Sequence, residues 1–431
     1  MNNKLQVLVL AGGKSTRFWP LTDKLRLSFL GKSLLEHQLN LLSSVGLRDV
    51  VVVGSREIIE NFAGEKLTMI EQKGEGQGAA ILSAAKYIKD KPVLIVNAND
   101  IVDKSLLESL LYVTTSKTNM LVGFKSNTYF PGGYLVLEGK KIVKIHEKPG
   151  EGNEPSSFVR LVFDYFVNGS DLLKYLESHI SASPASWYEE SLTAMMTDGI
   201  TFEMLEYENT WIQFKYPWHA LSAMGYYLGR LIKKHLAASA QIHKTVSITG
   251  LVHIEDHVRV MEYAKLVGPL YIGAGTIIGN HSMVRGSMIG ENSVIGFGCD
   301  VTRSYVGNDT WFHSNYIGDS VIGNNVAMGA GAVLANLRLD EGEIYSQVKH
   351  DRVNTNRNKL GSIIGEGARI GVEAQLMPGV KVGRNSVVGP GVILTTDIED
   401  NKRVYVKQEL MVYDNQVSNI RDRAEFKNKI K

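Results

Sequence analysis

The sequence has 431 residues, a length that predicts two or three domains at roughly 150 residues each. Hydrophobic residues make up 44% and charged residues 21% of the chain, and the formal net charge is +2. These values exclude a bulk electrostatic preference for nucleic acids or membranes, so any acidic ligand must be bound by local charges. The single cysteine, Cys299, excludes an internal disulfide, and the first apolar run is too short for a signal sequence or a membrane span. We therefore predict a cytoplasmic protein.

The chain opens with "VLVLAGGKSTRFWPLTDK", which contains the Gly-Lys-Ser of a Walker phosphate loop. The spacing excludes that loop, because its first glycine would fall on Leu8, inside an apolar run that predicts a buried strand. A strand followed by a Gly-Gly turn still offers backbone N–H donors to phosphate, and Arg17 and Lys24 could neutralise charge on a transferred phosphoryl group. On these residues alone, an ordinary turn with solvated basic side chains is an equal alternative.

Up to about residue 228, β-branched runs alternate with helical stretches, as in "DVVVVG", "GAAILSAAKYIKD" and "PVLIVNAND". This alternation predicts a mainly parallel sheet with helices on both faces. Asp100 and the Gly-Gly turn both follow strands, so they lie at carboxyl ends, where ligands of such sheets bind, and can share one cleft. Residues 217–237 predict a connecting helix, so we place an α/β domain at 1–228 and a helical linker at 229–238.

In the second half, an aliphatic residue followed by glycine recurs at six-residue spacing, as in "YIGAGTIIG". This period predicts a β-helix, placed at 239–400, whose interior holds only side chains. Active sites of such solenoids lie outside, often between subunits, and by analogy we expect a trimer. A polar insertion at 337–361 interrupts the period and is a candidate binding loop, and the polar segment 401–431 is expected to be peripheral.

Both halves resemble one known family. "LAGGKSTRFWPLTDK" is similar to the signature of sugar-1-phosphate nucleotidylyltransferases, and "HSNYIGDSVIGNNVAMGAGAVLANLRLDE" is similar to a block of an associated acetyltransferase domain. From about residue 5 to 398 the chain resembles the bifunctional N-acetylglucosamine-1-phosphate uridylyltransferase and glucosamine-1-phosphate acetyltransferase family, particularly its archaeal type. The resemblance implies a Rossmann-like nucleotidyltransferase domain followed by a left-handed parallel β-helix. It also implies synthesis of a nucleotide sugar and pyrophosphate from a nucleoside triphosphate and a sugar 1-phosphate.

The resemblance assigns roles in the first half residue by residue. The positions that match the nucleotide-binding segments are Ala11, Gly12, Gly13, Gln72 and Gly76. The positions that match the catalytic cations and the Mg²⁺ ligand are Arg17, Lys24 and Asp100. The positions that match the sugar-binding segments are Gly133, Glu147 and Lys148. The Gln72 amide can pair with a pyrimidine edge, which leaves uracil and thymine both open.

Two positions depart from the family pattern in this half. Gln213 stands where the family has an aspartate as its second metal ligand, and a neutral amide oxygen holds Mg²⁺ more weakly than a carboxylate. Arg160 lies in a segment where the family usually has Asn-Ala-Gly. The sequence alone leaves open whether Arg160 clashes with the sugar or binds its phosphate.

In the second half, the resemblance implies that His313 is the general base that deprotonates a sugar amine for attack on acetyl-CoA. An imidazole suits this role because its ordinary pKa of about 6.5 lies near neutrality. Tyr316 matches a sugar-phosphate contact, and Asn336 matches a residue that binds acetyl-CoA. The polar positions of the acceptor pocket that differ from the family are Thr302, Arg303, Ala327, Gly342 and Tyr345. The acceptor is therefore another sugar, or this site is silent.

These observations favour a two-domain nucleotidyltransferase with Mg²⁺ as cofactor and acetyl-CoA as a co-substrate of its second domain. Its expected partners are a nucleoside triphosphate, a sugar 1-phosphate and two further copies of the chain, with no nucleic acid and no membrane. Two alternatives stay open. One is a non-catalytic paralogue that binds a nucleotide sugar, and the other is a protein in which only the acetyltransferase works.

Overall fold

The first half of the chain is built on one nine-stranded sheet in the computed structural model. The structure describes residues 5–13, 15–62, 67–113, 117–179, 183–184, 186–415 and 423–430. The strands, in spatial order, are Thr68–Glu71, Val50–Gly54, Gln6–Ala11, Val93–Asn97, Phe158–Phe166, Asn119–Lys125, Phe202–Tyr207, Lys141–Glu147 and Gly133–Glu138. The first four are parallel, as predicted. Phe158–Phe166 runs antiparallel to its neighbours, so the sheet as a whole is mixed.

Alternate residues of the first strand enter two separate cores. Val7 and Val9 belong to one core, whereas Leu8 and Leu10 belong to the other. The α-helices of this half are Leu34–Ser44, Arg56–Asn61, Gly76–Ser83, Ala85–Ile88, Lys104–Val113, Gly169–Ser178, Trp187–Thr197 and His219–Leu228. Short 3-10 turns span Thr16–Phe18 and Lys24–Arg26, and two further strand pairs are Ser28–Phe29 with Lys32–Ser33 and Asp100–Val102 with Trp211–Gln213. Helices contribute to both cores, so the prediction of helices on both faces of the sheet is confirmed.

The second half forms a β-helix of three parallel sheets with eight, nine and eight strands. The strands of the first sheet are His235–Leu236, Val252–Ile254, Leu270–Ile272, Met288–Ile289, Tyr305–Val306, Val321–Ile322, Ile363–Ile364 and Lys381–Val382. Those of the second are Gln241–Ile242, Arg259–Val260, Ile277–Ile278, Val294–Ile295, Trp311–Phe312, Ala327–Met328, Arg369–Ile370, Val387–Val388 and Arg403–Val404. Those of the third are Ser247–Thr249, Lys265–Val267, Met283–Arg285, Asp300–Thr302, Tyr316–Gly318, Val333–Leu334, Gln375–Leu376 and Ile393–Leu394.

The six-residue repeat has a direct structural cause. Ile272, Ile289 and Val306 stack in register on successive coils and are buried in one continuous core. The glycine after each aliphatic residue allows the coils to approach closely, because a Cβ at Gly290 would lie 2.5 Å from the backbone of Gly307. The prediction of a β-helix from the repeat is confirmed.

The polar insertion at 337–361 contains an antiparallel hairpin of strands Tyr345–Val348 and Asp351–Asn354. Ile344 and Val348 of this insertion are buried in a core that they share with the first half of the chain. The insertion therefore serves as packing between the two halves, a role that its polar composition does not indicate.

The helix that connects the halves is shorter than predicted. It spans His219–Leu228 and ends at Gly229, so residues 229–238 form turns and a short strand in place of the helical linker. Ile232 beyond the helix is 90% exposed, so its side chain contributes little burial that could extend the helix. None of the helices in the described part of the chain has the length and apolarity that a membrane crossing requires.

The loop after the first strand is attached to the far end of the β-helix. The Trp19 indole N–H donates to Asp400 Oδ1 at 2.9 Å, and the Lys381 ammonium lies 5.2 Å from the centre of the Trp19 ring. A second contact joins the Ser28 backbone N–H to the Tyr305 hydroxyl at 3.2 Å. Residues 405–415 beyond the last strand are exposed, and a short helix spans Arg423–Asn428.

Candidate active site

The predicted nucleotide-binding residues meet where two loops cross at the carboxyl end of the first strand. The Gln72 side chain lies over Gly12, where a Cβ would come within 1.7 Å of the Gln72 amide oxygen. The Gln72 amide nitrogen donates to the carbonyl oxygens of Gly74 and Gly76 at 2.9 and 3.1 Å. Gly76 has a φ of +86°, and a Cβ there would meet the Pro184 carbonyl oxygen at 2.0 Å. Gly12 and Gly76 are therefore required by the crossing itself.

Ala11 and Gly13 occupy different environments beside this crossing. The Ala11 side chain is buried in the core, so only its backbone can face a ligand, whereas Gly13 has open space where a side chain would be. The crossing borders a cavity of about 170 Å³ lined by Leu10, Gly12, Gly13, Gln72, Gly76, Gln77, Ala80, Asn97 and Asn99. Ala11 does not line this cavity.

Asp100 lies at the carboxyl end of the neighbouring strand and is only 2% exposed. The Trp211 indole N–H donates to one carboxylate oxygen at 2.9 Å, and Asn97 Nδ2 donates to the other at 2.8 Å. Burial raises the pKa of Asp100 to about 6, although both hydrogen bonds and the Lys24 charge oppose this shift. A neighbouring cation would therefore stabilise the ionised form of Asp100.

Gln213 lies directly opposite Asp100, because the strands Trp211–Gln213 and Asp100–Val102 pair in antiparallel register. The Gln213 amide oxygen is buried and has no hydrogen-bond partner, and the same is true of the Asn99 amide oxygen. A carboxylate beside unsatisfied amide oxygens is a donor set that hard divalent cations such as Mg²⁺ prefer. The residues present therefore fit the metal that the sequence predicts.

Cationic side chains surround this acidic group. Burial lowers the pKa of Lys24 to about 8, with Arg17 acting in the same direction and Asp100 opposing. Burial also lowers the pKa of Lys215 to about 8, and the charges of Arg17 and Lys148 contribute to that shift. The sequence prediction missed Lys215, although it lies two residues after the recognised metal position in "WIQFKYP".

The predicted sugar-binding residues lie together beside Asp100, where they line a second cavity. Gly133 and Glu147 face each other on paired strands, and a Cβ at Gly133 would lie 3.1 Å from Glu147 Oε2. The Lys148 N–H donates to the Gly132 carbonyl oxygen at 3.0 Å, and the Lys148 ammonium lies 3.2 Å from Glu147 Oε1. Glycine at 133 thus leaves the Glu147 carboxylate open to the cavity.

These groups line a cavity of about 240 Å³. Its lining residues are Arg17, Lys24, Gln77, Asn97, Asn99, Asp100, Phe130, Pro131, Gly132, Gly133, Glu147, Lys148, Arg160, Val162, Glu189, Trp211, Gln213, Phe214 and Lys215. It shares Gln77, Asn97 and Asn99 with the cavity beside Gln72. The two cavities are therefore adjacent compartments of one cleft.

Arg160 is buried in the wall of this cleft. Its guanidinium donates to Asp164 at 2.5 Å and to Glu189 at 2.8 Å, and it lies 4.6 Å from the centre of the Tyr188 ring. The Tyr188 hydroxyl also donates to Asp164 at 2.9 Å. Each terminal nitrogen of Arg160 thus donates to a carboxylate, and the buried Nε has no hydrogen-bond partner in the described part of the chain.

In the β-helix, Tyr316 and Asn336 lie in one polar cluster. The Tyr316 hydroxyl donates to Asn336 Oδ1 at 3.3 Å, and Asn336 Nδ2 donates to Asp319 Oδ2 at 2.5 Å. Arg303 donates to both Asp319 oxygens at 2.7 Å, so its charge is compensated within the cluster. His313 is exposed, and no hydrogen bond in the described residues joins its imidazole to this cluster. The structure therefore joins Tyr316 and Asn336 by a hydrogen bond, and the exposed His313 imidazole takes no part in that bond.

Differences from the family pattern are visible in this second cluster. Thr302 accepts a hydrogen bond from Arg303 at 3.1 Å, and Ala327 offers no polar group. Tyr345 lies in the insertion hairpin, with the Arg352 guanidinium 5.3 Å from its ring centre. Arg303 thus binds Thr302 and Asp319, which leaves fewer of their polar atoms for an acceptor.

The fold and the cleft define a class of protein, in which a nucleotidyltransferase domain precedes a β-helix of hexapeptide repeats. Residues 7–155 match the MobA-like NTP transferase domain, and residues 361–396 match the bacterial transferase hexapeptide (six repeats). The chain is 31% identical to the bifunctional protein GlmU of Methanococcus vannielii over 95% of this chain and 99% of that protein. It is 32% identical to a bifunctional sugar-1-phosphate nucleotidylyltransferase/acetyltransferase of Sulfurisphaera tokodaii, over 91% of this chain and 98% of that protein. The chain belongs to this family of bifunctional enzymes, and the prediction of the family from its motifs is confirmed.

Proposed function

We propose that this chain transfers a nucleotidyl group from a nucleoside triphosphate to a sugar 1-phosphate. An oxygen of the sugar phosphate bonds to the α-phosphorus, the bond to the bridging oxygen breaks, and its electron pair leaves with pyrophosphate. One observation carries the proposal: Arg17, Lys24, Lys148 and Lys215 line the same cavity as Asp100. Phosphoryl transfer needs positioning and positive charge more than proton transfer, and this cleft supplies both.

Each group has a role that follows from its place in the cleft. Lys24, Arg17 and Lys215 stabilise negative charge on the phosphates, because all three line the cleft and the partly buried Lys24 and Lys215 are poorly screened by water. The crossing of Gln72 over Gly12 holds the nucleobase side, with uracil or thymine as the base. Gly133, Glu147 and Lys148 bind the sugar at the opposite end of the cleft.

Asp100 and Gln213 would hold Mg²⁺, with the Asn99 amide oxygen beside them. When bound, the cation neutralises charge on the phosphate oxygens of the substrate. The unsatisfied amide oxygens support this assignment, and they reduce the importance of the missing second carboxylate.

A second candidate function is acetyl transfer at the β-helix, supported by the contact between Tyr316 and Asn336. The sugar amine attacks the thioester carbon of acetyl-CoA, the C–S bond breaks, and His313 accepts the amine proton. Because the His313 side chain is exposed, we propose that the site is completed by a second copy of the chain in a cytoplasmic homotrimer.

The test is release of pyrophosphate from the full chain with Mg²⁺, with UTP, dTTP, GTP, CTP and ATP each combined with hexose and hexosamine 1-phosphates. We expect release with one pyrimidine triphosphate and one sugar, and loss of that release in Arg17→Ala. Lys104→Ala is the matched control, since Lys104 is paired with Glu108 on a helix surface and does not line the cleft. Wild-type rates in Arg17→Ala would overturn the mechanism.

Silence of the folded wild-type protein across the panel would favour the other two interpretations. Tight binding of a nucleotide sugar in calorimetry, without turnover, identifies the non-catalytic paralogue. Release of CoA that survives in Asp100→Ala and disappears in His313→Ala identifies a protein that works only as an acetyltransferase.

A further inference from the structure

Two histidines lie side by side on the first coils of the β-helix. His235 pairs in parallel register with His253, and His253 pairs in turn with Tyr271. These residues belong to one outward-facing row of the first sheet. Tyr271 in this row is buried beneath the first half of the chain, next to Gly31, whereas His235 lies beyond that cover and is exposed. The part of this row that solvent can reach therefore consists of the two imidazoles of His235 and His253.

A carboxylate joins this pair. His253 Nε2 lies 3.0 Å from Glu255 Oε1, and the rings of His235 and His253 are 4.4 Å apart. One ligand atom from each of His235, His253 and Glu255 lies within 4.8 Å of the other two. In the described part of the chain, this is the one such group of three His, Cys, Asp or Glu residues.

The three side chains of this group are of the types that bind a metal ion, so the group offers more than a simple ion pair. Two imidazoles and one carboxylate form a ligand set typical of Zn²⁺, which binds them at about 2.0–2.2 Å and leaves a fourth position for water. The buried Tyr271 lies beside the group, with its ring centre 5.4 Å from that of His253.

We propose that His235, His253 and Glu255 form a zinc site that ties the first coil of the β-helix to the second. Strands His235–Leu236 and Val252–Ile254 are short, and the first of them has a neighbour on one side only. A metal bridging both coils would hold this open edge in place. The site is separate from the cleft around Asp100, and it does not depend on the function proposed there.

The experiment is metal analysis of the full chain after chelator treatment, incubation with ZnCl₂ and gel filtration. We expect one zinc ion per chain, lost in His253→Ala and in His235→Ala, and an unfolding temperature that rises with zinc in the wild type only. Substitution with Co²⁺ should give the visible absorption of a tetrahedral site, which reports on the ligands without any activity assay.

Two controls separate this site from other sources of zinc. His281→Ala removes another histidine of the β-helix that lies between two aromatic rings, so its zinc content should match the wild type. Asp100→Asn should also retain the ion, since Asp100 belongs to the other cleft. Wild-type protein that retains no zinc, or a folded His253→Ala that retains it, overturns the proposal. Circular dichroism establishes folding, and Glu255→Gln provides a second variant if His253→Ala unfolds.

Discussion

The two candidate sites of this molecule differ in how they treat charge. Around Asp100, burial shifts the pKa values of titratable groups, and buried amide oxygens lie nearby without hydrogen-bond partners. All of these groups belong to one chain. Around Asn336, by contrast, Arg303 and Asp319 neutralise each other, and His313 lies in solvent. Buried polar groups without hydrogen-bond partners persist only where the surrounding fold holds them in place. Such groups are concentrated at functional sites. The comparison thus sets buried groups with unsatisfied amide oxygens at the first site against mutually paired charges at the second.

The largest effect should come from the buried charges in the wall of the first site. Arg160→Leu leaves Asp164 and Glu189 without their cation, so we expect destabilisation of about 3–5 kcal/mol. Urea unfolding, followed by fluorescence, measures the shift in midpoint. Arg338→Leu is the control, because Arg338 pairs with Asp340 at an exposed position and its loss should change the midpoint little. An unchanged midpoint in Arg160→Leu would mean that the wall does not depend on this cluster.

A smaller effect is expected from Lys215, the cationic residue that the sequence prediction missed. Lys215→Ala removes one of the charges that line the cleft, and we expect kcat/KM for nucleotidyl transfer to fall about 10²-fold. Acetyl transfer should be unaffected, since Lys215 does not belong to the cluster around Asn336. Steady-state kinetics beside Lys104→Ala provides the comparison. Equal rates in the two variants would remove Lys215 from the site.

The pH dependence should distinguish the first site from a solvent-exposed one. Asp100 has a pKa of about 6, so below pH 6 its carboxyl gains a proton and no longer binds a cation well. Lys24 and Lys215 have pKa values of about 8, so above pH 8 they lose the charge that phosphates need. We expect a bell-shaped profile of kcat/KM between these limits, falling up to about tenfold per pH unit outside them. A flat profile from pH 5 to 10 contradicts these burial effects.

The smallest effect tests whether the β-helix holds the loop of the first site. Trp19→Phe keeps a ring near Lys381 but removes the hydrogen bond to Asp400, which is worth about 1 kcal/mol. We expect a small shift of the unfolding midpoint and a several-fold lower kcat/KM, because Arg17 lies two residues away on the same loop. If neither quantity changes, the attachment has no role in positioning that loop.

Much of the fold could be predicted from the sequence, because its signals are local. The apolar runs that alternate with helical stretches predicted the parallel strands, and the six-residue period predicted the coils of the β-helix. Each pattern is visible in the sequence because the same packing requirement recurs along the chain. The connecting helix was overestimated because the sequence does not indicate that Ile232 lacks a packing partner. The packing role of the insertion was not predicted, because its polar composition masks two buried apolar residues, Ile344 and Val348.

The parts of the site that belong to a recognised motif could be predicted. Contacts that depend on burial and on residues distant in sequence could not. Gln72, Gly12 and Gly76 meet as the motif suggests. The engagement of Arg160 depends on Glu189, which is distant in sequence, and no local pattern could indicate it. The domain limits and the individual roles of the site residues stay predictions.

The central claim is that nucleotidyl transfer occurs in the cleft around Asp100, independently of the β-helix site. The most direct measurement compares pyrophosphate release by wild type, Asp100→Ala and His313→Ala under identical conditions. We predict that His313→Ala matches the wild type and that Asp100→Ala falls by about 10³-fold or more. Release by Asp100→Ala at the wild-type rate would contradict the account.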